Sequence, residues 1–245
     1  MAFYDGASKK SLTTRLAATV LRASVGPSVP RATLPSEQKP TDIGFLSQEL
    51  LAVGMDQGPN AAALFQIATG RPQVTLQLPG PVLRVAGNGG LLAVGRADEI
   101  SLWQPLLTPP KMTGQIRVRG AVRALALRQD GKIQAASSDA NKVTVWFGSA
   151  DNKWDFTAQG TVSAIAFSRD LALLATGCNG SVQVWDISAR KSLYTLPQRG
   201  APQDLAFSGD GKFIAAAVGN QALLWKTDSR EKPIFPLGHA RGRCV

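Results

Sequence analysis

The sequence has few of the residues that build disulfide frameworks and most metal sites. Its 245 residues include two cysteines, Cys178 and Cys244, and one histidine, His239. The cysteines are far apart and form no Cys-x-x-Cys pair, which argues against a disulfide framework and a zinc site. Free cysteines fit a reducing compartment. The sequence therefore predicts an intracellular protein in the cytoplasm and leaves a nuclear location open.

Long apolar runs and blocks of like charge are also missing. An apolar stretch such as residues 171–175 is far shorter than the roughly 18 residues that cross a bilayer. The N-terminus lacks the apolar core of a secretory signal. Lys and Arg outnumber Asp and Glu by 27 to 17, for a net charge of +10. This charge is dispersed rather than gathered in a nucleic-acid-binding arm, so RNA or DNA association remains only an alternative function.

The sequence contains no recognisable catalytic motif. It has neither a Gly-x-Ser-x-Gly elbow nor a phosphate loop ending in Gly-Lys-Ser/Thr. Residues 87–90 are glycine-rich, but no helix pattern follows to bind an anion. Four aspartates lie in predicted turns, where the side chain caps its own backbone: Asp56, Asp98, Asp139 and Asp170. We therefore predict no catalytic residues, no metal and no cofactor.

What the chain does have is a period of about 40 residues. Glycines recur at Gly80, Gly120, Gly160 and Gly200. An aromatic position recurs at Phe65, Trp103, Trp146, Trp185 and Trp225. An apolar position recurs at Phe45, Val85, Leu127, Phe167 and Phe207. Three registers with one period indicate a repeat architecture.

Each period carries the pattern of four short strands. Within one repeat, the predicted strands are residues 161–167, 171–177, 181–186 and 192–197. Asn179-Gly180 is a strong signal for a hairpin turn between the second and third strands. Strands that are apolar on both faces must be covered on both sides. Radial stacking of four-stranded sheets provides that cover, so the sequence predicts an all-β propeller.

These residues resemble the WD repeats. The resemblance rests on residues 173–177, 184–186, 207–212 and 238–239, and it extends over residues 41–240. It implies a non-catalytic scaffold for protein partners and places His239 in the Gly-His turn of a repeat. The predicted turns lack the histidine that many members carry, and only Trp185 is followed by Asp. We therefore expect apolar packing, rather than the family's hydrogen-bonded tetrad, to stabilise the blades.

The expected organisation is five full four-stranded blades and a partial blade. Residues 41–240 hold five WD-like repeats, and residues 241–245 form a truncated tail. Residues 4–14 match residues 185–195 at Asp, Lys, Ser, Leu and Thr. Residues 1–40 are therefore predicted to supply the third and fourth strands of a partial blade, followed by a proline-rich loop. A targeting helix over residues 11–24 is the open alternative.

A partial blade has consequences for association and for the predicted binding surface. Unpaired strand edges would promote self-association. The predicted partner-binding rim consists of residues at the starts of inner strands and beside the turn glycines: Arg84, Arg119, Arg123, Ser163, Arg199 and Gln203. Arginines in this arrangement suit acidic or phosphorylated protein segments. A solvated rim without a ligand is the alternative.

Trp154 stands outside the repeat pattern. The other four tryptophans follow the 40-residue period and are predicted to pack between blades, whereas Trp154 breaks the register and is expected in a connection between outer strands. Tryptophan is enriched at binding hot spots, which makes Trp154 a candidate exposed anchor. Ordinary packing on an outer strand is the alternative.

Overall fold

A computed structural model describes most of the repeat region. The described residues are 39–57, 61–128, 133–137, 141–149, 151–170, 172–228 and 233–238. Several predicted features lie outside them: the partial blade before residue 39, the tail at 241–245, Asp139, His239 and Cys244. The predicted count of five full blades plus a partial blade therefore stays a prediction.

The described strands form five four-stranded antiparallel sheets, each ordered as in the chain. Sheet 1 contains β1 Pro40–Phe45, β2 Leu50–Met55, β3 Ala62–Gln66 and β4 Pro72–Leu76. Sheet 2 contains β5 Arg84–Asn88, β6 Leu91–Gly95, β7 Glu99–Gln104 and β8 Lys111–Arg117. Sheet 3 contains β9 Ala124–Leu127, β10 Ile133–Ser137, β11 Lys142–Phe147 and β12 Lys153–Thr157. Sheet 4 contains β13 Val162–Phe167, β14 Leu173–Cys178, β15 Ser181–Asp186 and β16 Lys191–Pro197. Sheet 5 contains β17 Pro202–Phe207, β18 Phe213–Val218, β19 Gln221–Lys226 and β20 Phe235–Gly238.

The all-β prediction is confirmed, since no helix occurs in the described ranges. The strands of sheet 4 lie within about two residues of their predicted bounds, and β15 has the predicted bounds of 181–186. Asn179-Gly180 makes the predicted turn before β15, with Gly180 at a φ of 93°. A positive φ is a conformation that glycine adopts without steric cost.

The chain divides into two compact units. The first comprises Met1–Asp139 and Val143–Asp155, and the second comprises Ala140–Lys142 and Phe156–Val245. In the first unit, β1, β5 and β9 are neighbours, and sheets 1 and 2 share a core that includes Leu64, Val85 and Leu92. In the second unit, β13 lies beside β17. Sheets 4 and 5 bury a common set of side chains there: Ala175, Val182, Val184, Ile214, Ala216, Leu223 and Trp225.

Glycines allow neighbouring sheets to approach closely. A Cβ on Gly54 would stand 2.6 Å from Val82 Cγ1, and a Cβ on Gly95 would stand 2.6 Å from Val122 Cγ1. A Cβ on Gly177 in the second unit would stand 2.9 Å from Pro202 Cγ. All three glycines hold the same place in the second strand of their sheets. At this position the next sheet occupies the space that a side chain would need.

The predicted series of recurring apolar positions is wrong in sheet 2, where it includes Val85. Strand pairing places Phe45 opposite Leu51, and the matching pair in sheet 2 is Gly87 with Leu92. Gly87, rather than Val85, is thus the counterpart of Phe45. A Cβ on Gly87 would stand 2.9 Å from the Phe45 carbonyl oxygen, so this backbone contact excludes a large side chain.

Candidate partner-binding surface

The first unit presents a rigid basic connection between sheets 2 and 3. Arg119 and Arg123 are exposed on residues 118–123, which join β8 to β9. The Val118 amide donates to the Asp98 carbonyl at 2.9 Å, and the Val122 amide donates to the Arg96 carbonyl at 3.0 Å. Gly120 turns the chain between these bonds with a φ of 83°. The backbone that carries both arginines is therefore held at two points.

Arg117 extends this basic surface, and the sequence prediction did not include it. It is the exposed last residue of β8 and lies opposite Glu99 in the β7–β8 ladder. The sequence could have indicated this residue, because residues 117–123 read Arg-Val-Arg-Gly-Ala-Val-Arg and so place three arginines close together. We refer to Arg117, Arg119 and Arg123 as the arginine loop.

Arg96, beside this loop, is occupied by internal contacts. Its Nε donates to Glu99 Oε1 at 3.0 Å, and its Nη1 donates to the Pro79 carbonyl. Burial alone would raise the pKa of Glu99. Hydrogen bonds from Arg96 and Gln115 and the charges of Arg96 and Arg117 outweigh burial and lower that pKa. In contrast, Arg119 and Arg123 form no ion pair with any residue that the structure describes.

Arg84 lies in a more enclosed position than predicted for a rim residue. It is half-buried at the start of β5, and its Nη1 donates to the Leu83 carbonyl at 2.7 Å. Asp42 holds the equivalent place in β1 and is buried, with Oδ2 accepting from the Val85 amide at 2.9 Å. In β1 this position therefore serves a contact between sheets 1 and 2, whereas in β5 the Arg84 side chain bonds to the residue before it.

The second unit carries a similar connection between sheets 4 and 5. Arg199 is exposed before Gly200, whose φ is 96°, and Gln203 is exposed in β17. Ser163 is half-buried, and its hydroxyl donates to the Pro202 carbonyl. Thr41 makes the same contact in the first unit, donating to the Val82 carbonyl at 2.6 Å. Of the three predicted residues here, Arg199 and Gln203 are exposed, while the Ser163 hydroxyl holds two sheets together.

Trp154 lies within β12 rather than in the predicted connection, and it is half-buried. Alternation along β12 places Trp154 on the same face as Phe156, while Lys153 and Asp155 are exposed. Asp155 accepts from Thr144 Oγ1 at 2.7 Å and pairs with Lys153 at 3.3 Å. Hence these exposed polar contacts lie on the opposite face of the strand from Trp154.

Reactive groups are few in the described part of the chain. Burial raises the pKa of the Cys178 thiol, which is fully enclosed and stays protonated near neutral pH. Asp170, one of the turn aspartates, accepts from the Ser168 hydroxyl and from the Ala172 amide, as expected for a turn cap. In the ranges described, no three His, Cys, Asp or Glu side chains lie close enough to hold a metal ion. Nor do those ranges contain a helix able to cross a membrane.

Comparisons with known proteins agree with this architecture. Residues 151–186 match the family "WD domain, G-beta repeat". Small ribosomal subunit protein RACK1 of Caenorhabditis elegans is 31% identical over 96 residues, which is 35% of this chain and 30% of the relative. U3 snoRNP-associated protein-like YAO of Arabidopsis thaliana is 41% identical over 68 residues, which is 26% of this chain and 14% of the relative. The matched segments thus span less than a third of these relatives.

A solved structure extends the similarity to most of the chain. A chain in the crystal structure of the mitotic checkpoint complex superposes with a TM-score of 0.71 and 20% identity. The match covers 84% of this chain and 66% of that one. At this identity the likeness shows a shared fold alone.

Proposed function

Because this chain is a WD-repeat β-propeller protein, we propose that it is a non-catalytic scaffold that binds other proteins. The arginine loop is the observation that carries this proposal. Its exposed guanidinium groups lie on a backbone that hydrogen bonds hold in place. The preferred ligand is an acidic or phosphorylated segment, because a planar guanidinium binds carboxylates and phosphates through paired hydrogen bonds.

The contrast with Arg96 supports a binding role. A structural arginine here is enclosed by a carboxylate and a carbonyl, as Arg96 is by Glu99 and Pro79. Arg119 and Arg123 have no such neighbours among the described residues. Arg199 and Gln203 offer similar polar groups on the second unit, and Arg84 contributes from its inner strand. Ser163 acts indirectly, by fixing the start of β17.

Labelled peptides test this proposal. The probes are a glutamate-rich peptide and a phosphoserine peptide, with fluorescence anisotropy as the readout. Arg119→Ser with Arg123→Ser should weaken binding by about tenfold or more. Arg71→Ser is the matched control, because Arg71 is exposed in the connection before β4 of the same unit. Equal binding by the double variant and wild type, or no binding by wild type, would overturn the assignment.

RNA association is a second candidate function, and two observations favour it. The chain carries a net charge of +10, and the names of its relatives refer to a ribosomal subunit and to the U3 snoRNP. A generic RNA oligonucleotide titrated at several salt concentrations distinguishes the two functions. A steep logarithmic decline with salt indicates several phosphate contacts. Tight RNA binding without peptide binding would favour this second function.

The wider architecture is also part of the proposal. We propose five full blades over residues 41–240, together with the partial blade predicted for residues 1–40. The protein acts inside the cell, in the cytoplasm, and it uses no catalytic residue, metal or cofactor. The repeat similarity and the buried, protonated Cys178 support this view.

A further inference from the structure

Sheet 2 carries three exposed large apolar side chains within a segment of seven residues. Leu106 and Leu107 are each 48% exposed in the connection from β7 to β8, and Met112 near the start of β8 is 47% exposed. Single exposed apolar residues are ordinary, but adjacent ones commonly mark a contact surface. We refer to Leu106, Leu107 and Met112 as the leucine turn.

Among the described residues, the equivalent connections of sheets 1, 3 and 4 carry no exposed large apolar side chain, and the connection of sheet 5 carries Ile234 alone. The exposed residues of this connection in sheet 1 are Ala68, Thr69 and Arg71, and in sheet 4 they are Ser188, Ala189 and Arg190. In sheet 3 the described residues of the connection are Gly148, Ser149, Asp151 and Asn152. The fold therefore does not require apolar residues at this place. The repeat fold therefore does not account for the exposed leucines in this connection of sheet 2.

The leucine turn is held in one shape before any partner binds. Pro105 is buried at its start, and Pro109 and Pro110 restrict its end. Met112 lies opposite Trp103 in the β7–β8 ladder, and Thr113 Oγ1 donates to the Leu102 carbonyl at 3.2 Å. A preformed turn loses little conformational entropy on binding, which favours affinity.

We propose that the leucine turn docks an acidic amphipathic segment of a partner protein. Apolar side chains of that segment cover Leu106, Leu107 and Met112, while its carboxylates face Lys111. Lys111 is exposed beside the leucines and forms no ion pair with described residues. A second copy of this chain, with its net charge of +10, complements Lys111 less well than an acidic segment does.

This surface and the arginine loop can be occupied together. Lys111 and Arg117 are the two ends of β8. Six residue steps along a strand separate them by about 20 Å. One sheet thus offers an apolar surface at one end and a basic surface at the other, so the protein can join two partners.

Peptide selection tests the proposal directly. A random-peptide phage library is panned on the full chain, and enriched peptides are measured by fluorescence anisotropy. We expect peptides that combine Leu or Phe with Asp or Glu. Leu106→Ser with Leu107→Ser should weaken them by about tenfold or more. Ile234→Ser is the matched control, since Ile234 is 38% exposed on the other unit.

Further measurements separate the alternative outcomes. The Arg119→Ser, Arg123→Ser variant should keep its affinity for these peptides, even if the arginine loop proves to bind nothing. Circular dichroism confirms that each variant is folded. We expect wild type to enrich peptides that the Leu106→Ser, Leu107→Ser variant does not enrich. The proposal is overturned if both proteins enrich the same peptides, or if wild type enriches none. It is also overturned if the substitutions abolish binding to phosphatidylserine vesicles and leave peptide binding unchanged, because the turn would then be a membrane contact.

Discussion

The indole Nε1 of Trp185 donates a hydrogen bond of 2.9 Å to Oγ1 of Thr176, and both residues are buried. Trp225 holds the same place in sheet 5, where Ala216 replaces the threonine. Trp225 is 1% exposed, and its Nε1 meets no acceptor among the described residues. In sheet 2, Trp103 Nε1 instead donates to Ser101 Oγ at 2.9 Å. The acceptor of the indole therefore differs between sheets 2 and 4, and among the described residues Trp225 of sheet 5 has none.

Exchanging the acceptor should change stability in opposite directions in sheets 4 and 5. Thr176→Val keeps the side-chain shape but leaves the Trp185 indole without its acceptor, so the free energy of unfolding should fall by about 1–3 kcal/mol. Ala216→Ser supplies an acceptor near Trp225 and should raise it by up to about 1 kcal/mol. Urea denaturation measures both. A marked loss with Ala216→Ser would show that the site has no room for a hydroxyl.

The periodic tryptophans should contribute far more to stability than Trp154. Trp225→Ala removes a side chain from the core between sheets 4 and 5 and should cost about 3–5 kcal/mol. Trp185→Ala should have a similar effect, because Trp185 is also buried and stacks near Phe156 with ring centroids 4.1 Å apart. Trp154→Ala, at a half-buried site, is the comparison. A loss below about 1 kcal/mol for either periodic tryptophan contradicts its core role.

The close glycine contacts predict an unusual cost for adding one methyl group. Gly95→Ala would place Cβ 2.6 Å from Val122 Cγ1 and should lower the free energy of unfolding by about 1–3 kcal/mol. Ala217 occupies the matching place in sheet 5. There the reverse change, Ala217→Gly, should cost about 0.5–1 kcal/mol through backbone entropy. Thermal unfolding of both variants checks this, and a neutral Gly95→Ala would argue against the packing described.

Glu99 should make stability depend on acid pH. Its pKa is below the ordinary value of 4.5, so the ionised form stabilises the fold above that pH. The stabilisation is lost as the pH falls through the lowered pKa of the folded state. Glu99→Gln should cost about 1 kcal/mol at neutral pH, with the difference from wild type shrinking as the pH falls below 4.5 and through the lowered pKa of the folded state. Urea titrations at several pH values test this, and a constant difference would exclude ionisation of Glu99 as the cause.

The partial exposure of one apolar face of sheet 5 predicts that the chain self-associates. Ala175, Val182 and Val184 of sheet 4 are fully buried, but the matching residues of sheet 5 are half-buried. Those counterparts are Ala215, Ala222 and Leu224. We expect self-association through this partly open apolar face, detectable by light scattering.

Paired lysine substitutions check that expectation. Val184→Lys buries a charge and should cost more than about 3 kcal/mol. Leu224→Lys should cost about 1 kcal/mol and reduce the scattering. A monomeric wild-type chain, or equal destabilisation by both variants, would mean that the face is covered.

The sequence was informative wherever a local pattern repeats. Alternating apolar residues and the Asn179-Gly180 turn located the strands of sheet 4, since side-chain alternation and turn geometry are local properties. The positions of Arg119 and Arg199 followed from their neighbouring glycines. Sequence patterns did not reveal that the Ser163 hydroxyl bonds to Pro202, because that contact joins residues about one repeat apart.

The sequence by itself determined the all-β class, the period of about 40 residues and the burial of Trp185 and Trp225. These features depend on alternation and spacing that every repeat copies. Only the tertiary structure decided at which positions one repeat must carry a different residue from the others. Gly87 replaces the expected apolar residue because the Phe45 carbonyl lies against it, and Gly95 has no side chain because Val122 fills that space. Trp225 keeps the core position but has no acceptor because Ala216 holds the position that Thr176 holds in sheet 4. The two glycine contacts arise where one sheet packs on the next, and a single repeat does not contain that information.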